Sequence, residues 1–174
     1  NKDNIRLREI LSLQQSSNND NISAAVISRK TGGWWRQIIL NKGSKDGVEI
    51  GSTVTGPGGL LGRVNNTSLF TSSVTLLTSP ESKLGVWVDR SQINGLLVGS
   101  GDDHPSLILY SKEADIKVGD FVSSSPASSL LPPNIPIGIV QSIDETSQSK
   151  KTAKISLLAK PHLIDWVQIL KLNI

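Results

Sequence analysis

Hydrophobic and polar residues change places every second position over most of the chain, in runs of four to seven residues bounded by Gly, Pro, Asn, Asp and Ser. That period predicts half-buried β-strands rather than helices. Twelve runs qualify: 23–28, 36–40, 52–55, 60–65, 73–77, 84–88, 95–98, 106–110, 120–123, 137–143, 153–158 and 166–170. Only the first stretch breaks the pattern. Residues 1–16 hold good helix formers, with Asn4, Leu7, Leu11 and Gln14 at a 3-4-3 spacing. That spacing is the seam of a coiled coil, in which Asn at one seam position fixes register. The rival reading is an amphipathic helix packed on its own domain. Residues 16–21, SSNNDN, form a polar hinge after it.

The strand pattern repeats. Gly51-Ser52-Thr53-Val54 lines up with Gly119-Asp120-Phe121-Val122, and 38–40 with 107–109. Leu61-Gly62-Arg63-Val64 answers Ile137-Gly138-Ile139-Val140, and 74–77 answers 155–158. Pro80 answers Pro161, and Trp87-Val88 answers Trp166-Val167, which makes both of these tryptophans structural. One order is kept throughout, the mark of a duplicated unit. The expected fold is therefore mainly β: a short N-terminal helix (1–16), then two small six-stranded barrels, each closed to remove free sheet edges (22–90 and 91–174). The boundary falls near 89–94. The last strand either closes the second barrel or crosses to the first.

Glycines punctuate this scheme. Gly43 and Gly47 stand in turn signals that call for positive φ. Gly62 and Gly138 lie inside strands, where a bulge or barrel corner is expected. Gly51, Gly95 and Gly119 complete the set of candidate turn and corner positions.

Composition narrows the function. The formal charge is +3, and the densest basic run is only 150–154, so nucleic-acid binding is not expected. With no cysteine, thiolate metal sites and cysteine catalysis are excluded. The two histidines, His104 and His162, stand in no metal-ligand spacing and read as solvated loop residues, so neither a metal nor a cofactor is expected. A double barrel with His104, Asp102, Asp103 and the run Ser123-Ser124-Ser125 invites comparison with serine proteases. The serines lack both the Gly-x-Ser-x-Gly elbow and flanking glycines for an oxyanion loop. The glycine-rich run 56–62 lacks the Lys-Ser/Thr of a phosphate loop and reads as a hairpin tip. No catalytic residue is assigned. Trp34-Trp35 is the candidate partner contact, because neighbours on a strand face opposite sides and one ring can be exposed; the rival reading is a Trp that covers a barrel mouth.

Several segments together resemble the MreC family of rod-shape-determining proteins. Asn4-Ile5-Arg6-Leu7-Arg8-Glu9-Ile10-Leu11 is similar to the helical segment that follows the family's transmembrane helix. Residues 25–29, Trp35 and the stretch 39–48 are close to its most recognisable stretch. Gly59-Leu60-Leu61-Gly62-Arg63-Val64, Arg90-Ser91, 95–99, 116–120 and 137–140 fit in order. Ser123-Ser124-Ser125-Pro126 and Leu131-Pro132-Pro133-Asn134 depart from the family's turn sequences.

The resemblance implies a scaffold rather than an enzyme, organising peptidoglycan synthesis to maintain rod shape. It implies a homodimer with higher self-assembly, and partners MreD, the MreB system and the elongation-specific penicillin-binding transpeptidase. It also implies a single-pass inner-membrane protein with its bulk in the periplasm, or outside a Gram-positive cell. The chain opens at Asn1, and the anchor is expected upstream. The runner-up is a generic periplasmic β-barrel adaptor, which a cleavable signal peptide upstream would favour; a serine hydrolase is the remote third, testable by fluorophosphonate labelling.

Overall fold

The structure is a computed structural model that describes residues 21–30, 36–111, 113–127, 131–146 and 149–170. Twelve strands follow in chain order: β1 (Asn21–Lys30), β2 (Gln37–Leu40), β3 (Thr53–Gly56), β4 (Gly59–Thr67), β5 (Ser72–Leu76) and β6 (Lys83–Val88), then β7 (Ile93–Val98), β8 (Ser106–Leu109), β9 (Phe121–Ser124), β10 (Pro136–Asp144), β11 (Lys151–Leu157) and β12 (Trp166–Leu170). They form two closed barrels of six antiparallel strands. The alternation seen in sequence is the burial pattern: along β5, Ser72, Val74 and Leu76 point inward while Ser73 and Thr75 do not. The helix expected over 1–16 lies outside the described residues.

The first barrel runs β1-β12-β3-β4-β5-β2, and the second β7-β6-β9-β10-β11-β8. Laid side by side, the two orders match strand for strand except that β6 and β12 have changed places. Each repeat gives its last strand to the other. The expected boundary at 89–94 is therefore wrong for β6, and the last strand takes the crossing alternative. Two short crossovers, 77–82 and 158–165, carry the exchanged strands between barrels. Local sequence could not reveal this, because a strand's partner is set by packing between distant elements.

The repeat also recurs in matching hydrogen bonds around the strand entries. Gly51 N–H donates to Val64 O (2.8 Å), and Gly119 N–H to Val140 O (2.9 Å). Val64 N–H donates to Ser52 O as Val140 N–H does to Asp120 O, both at 2.9 Å. Ser52 Oγ accepts from Glu49 N–H (3.3 Å), and Asp120 Oδ2 from Lys117 N–H (2.8 Å). These small polar side chains satisfy turn donors that would otherwise compete with the ladder.

Of the turn glycines, Gly47 (φ 94°), Gly51 (φ 93°) and Gly119 (φ 94°) occupy left-handed backbone. Gly43 departs from its expectation, with φ −138°. It is kept small by proximity, since a Cβ there would lie 2.3 Å from Ser68 O. Gly95 faces inward, where a Cβ would crowd Leu107 and Leu109.

Candidate interaction surface

The two barrels present different outer faces at matching places. Register fixes the correspondence. Val54 pairs with Gly62 on β4 and Ile169 on β12. Val122 pairs with Gly138 on β10 and Val88 on β6. Ile169 and Val88 thus hold the same station, so Trp87 corresponds to Gln168. The expected equivalence of Trp87 and Trp166 is shifted by two residues. Trp166 instead stands 63% exposed on the outer face of β12, opposite Ala25, which corrects its reading as a structural residue equivalent to Trp87.

On the second barrel, Val86, Val88, Val122 and Val140 point into the core. Their strand neighbours Trp87, Phe121 and Ile139 therefore face outward. Phe121 is 54% exposed and pairs with Ile139, while Trp87 pairs with Ser123, one diagonal step away. Aromatic side chains can meet across such a diagonal. The corresponding residues of the first barrel are Gln168, Thr53 and Arg63, the last two themselves a registered pair. Thr53 is itself buried where Phe121 is exposed, yet the fold accepts polar residues at all three places, so barrel closure does not explain the apolar ones. Among the described residues, the buried Trp87 indole N–H has no hydrogen-bond partner.

Polar groups rim this face. Asp89 N–H donates to Phe121 O (2.9 Å), and Asp89 Oδ2 accepts from Ser123 Oγ (3.1 Å). Arg90 reaches both Asp120 and Asp115 through bonds of 2.9–3.0 Å. Its hydrogen bonds hold both carboxyls below the usual carboxylate range. Apolar aromatics at the centre with charge at the edge is the anatomy of a protein-binding surface.

The residues weighed for catalysis have other commitments. Asp102 Oδ1 accepts from Ser100 Oγ (2.9 Å) and from the backbone N–H of His104 (2.9 Å), not from the imidazole. The backbone bond lowers the Asp102 carboxyl pKa. Asp103 instead joins the barrels by accepting from Arg36 at 2.8 Å. Ser123 Oγ donates to Asp89, Ser124 Oγ to Pro132 O (2.6 Å) and Ser125 Oγ to the Asn94 side chain. Among the described residues there is no cluster able to hold a metal, and no helix long and apolar enough to cross a membrane. Asn4, Leu7, Leu11, Gln14, Trp34 and Trp35 lie outside the described residues, as does the side chain of His162.

Sequence reasoning passed over the Trp87–Phe121–Ile139 face, although a signal was present. Gly85-Val86-Trp87-Val88, Phe121-Val122 and Ile137-Gly138-Ile139-Val140 are continuous apolar runs in strands whose outer side should be polar.

Comparison with known proteins agrees with this architecture. The cell shape-determining protein MreC of Listeria monocytogenes is 32% identical over 177 residues, covering 98% of this chain and 60% of its own length. The chain thus spans about three fifths of that relative. The crystal structure of MreC from Pseudomonas aeruginosa superposes with a TM-score of 0.81 at 26% identity, over 87% of this chain and 99% of that one. MreC of Helicobacter pylori, solved in complex with penicillin-binding protein PBP2, shares the fold at 15% identity, with a TM-score of 0.68 over 87% of this chain and 98% of that one. Residues 26–171 match the family described as rod shape-determining protein MreC, barrel core, a span that takes in eleven whole strands and half of β1, and the chain belongs to the MreC family.

Proposed function

We propose that the protein is a non-enzymatic scaffold of the cell-elongation machinery, which docks the elongation-specific penicillin-binding transpeptidase on the Trp87–Phe121–Ile139 face. The observation that carries this reading is the asymmetry between barrels: apolar residues stand on the second where the first has Gln168, Thr53 and Arg63. The complex of the Helicobacter pylori relative with PBP2 supports the choice of partner. Self-association enters through the upstream helix, with Asn4, Leu7, Leu11 and Gln14 on its seam, and pairs two weak docking faces so that avidity adds to affinity. Trp34 or Trp35 supplies a second contact. MreD and the MreB system are further partners, and an upstream membrane span holds the barrels on the extracytoplasmic side.

The test is Phe121→Asp, with Gln168→Asp as the control, on the other barrel at the place that matches Trp87. Binding to the extracytoplasmic region of the transpeptidase is measured by biolayer interferometry. Loss of a central aromatic anchor is expected to weaken binding more than about tenfold, with the control unaffected. Equal affinities for wild type and Phe121→Asp would remove this face as the docking site.

A further inference from the structure

Each barrel is sealed by a strand whose chain comes from the other. Trp87 stands on β6, and β6 arrives from β5 of the first barrel through residues 77–82. The second barrel grips that crossover: Gly101 N–H donates to Thr78 O (2.9 Å) and Gly99 N–H to Ser82 O (3.1 Å). Gly99 has no room for a side chain, since a Cβ would lie 1.9 Å from Ser79 O. The return crossover is held in the same manner. Val26 N–H of β1 donates to Asp165 O at 2.9 Å, and Ala159 and Ile164 are buried in the first barrel's core. The cores interlock as well, for Leu60 of β4 and Leu77 are buried among second-barrel residues.

We infer that this reciprocal exchange couples the docking face to the first barrel. Occupancy of the face steadies β6 and, through it, the first barrel; loosening β12 in the first barrel frees β6 in the second. The coupling rests on the docking reading only for its ligand. Its physical basis is that neither barrel can open alone. Release of β12 uncovers the edges of β1 and β3 and drags the 158–165 crossover, which is continuous with β11 of the second barrel. A shared opening step is a two-state element that both ends bias, and such coupling is reciprocal. β1 is the strand that leads back to the upstream segment 1–20, so a load on that segment is transmitted to the docking face.

The experiment is native-state hydrogen exchange on the whole chain. Ile169→Val trims a methylene from β12 at a position fully buried in the first barrel's core. If the barrels open together, amides of β6 and β9 exchange faster by the same factor as those of β1 and β3, roughly two- to tenfold. Val167→Ala, on the same strand, should repeat the pattern more strongly. Acceleration confined to the first barrel, with β6 and β9 at wild-type rates, overturns the inference. A second arm adds the transpeptidase region. Protection of β1 and β3 in wild type but not in Phe121→Asp is expected, and protection confined to the second barrel counts against the coupling. Coupled exchange without any protection by the partner would sink the docking site and leave the coupling standing.

Discussion

Gly62 and Gly138 hold the same station in the two barrels, each pressed against a carbonyl of the facing strand. A Cβ on Gly62 would lie 2.0 Å from Thr75 O, and one on Gly138 would lie 2.5 Å from Ser156 O. Both sit beside register shifts, between Val54 and Thr55 in one barrel and between Pro136 and Gly138 in the other. The corner closes tightly because nothing stands between the strands. Gly62→Val forces the backbone of β4 away from β5 and should cost about 1–3 kcal/mol. A fall of several degrees in Tm is expected, on the scale of about 2–4 °C per kcal/mol for a unit of this size. An unchanged melting curve would contradict the close approach.

Leu60 is fully buried, yet it belongs by sequence to the first barrel and by packing to the second. Leu60→Ala should destabilise by about 2–5 kcal/mol through lost transfer energy and the cavity left behind. Denaturant unfolding followed by tryptophan fluorescence and by far-UV circular dichroism should give coincident transitions at a lower midpoint. Two separated transitions would show that the barrels melt independently.

Arg90 ties the turn after β6 to Asp115 and to Asp120 at the start of β9. Both carboxyls titrate below their ordinary range, the Arg90 side-chain hydrogen bonds being the first cause in each. A depressed folded-state pKa means stability that is present above the unfolded value, about 4, and lost as pH falls through the folded one. Tm should therefore drop more steeply below about pH 4 in wild type than in Arg90→Ala. High salt should narrow the difference, since Arg90 and Asp115 are solvent-exposed and screened, although the Asp120 side chain is largely covered. Parallel pH profiles for the two proteins would contradict this account.

The seam of the upstream segment is tested by Leu7→Asp with Leu11→Asp in a chain extended upstream. Charges at two seam positions are expected to turn a dimer into a monomer in sedimentation equilibrium. Wild-type sedimentation would remove the seam as the dimer contact. Separately, Trp34→Ala and Trp35→Ala are measured for transpeptidase affinity, and at least one is expected to weaken it. No change in either removes that contact.

Alternation and turn residues were enough to mark out twelve strands and their duplication, because side-chain period and turn preference act over a few residues. The corner glycines were legible for the same reason. Trp87 and Trp166 show where local reading fails: identity aligned them, but the pairings of Val54 and Val122 set them two residues apart. The apolar outer face was missed because Phe121, Trp87 and Ile139 are far apart in sequence and come onto one face only once β6, β9 and β10 are neighbours.

By itself, then, the sequence determined the strands, the repeat, the closed-barrel class and the family resemblance. Only the tertiary structure decided that β6 and β12 exchange barrels, that Leu60 fills the neighbouring core, and that one outer face is apolar where its counterpart is polar. Those outcomes depend on which distant strands pair and in what register, and that choice is made by packing of whole elements rather than by any residue's own preference.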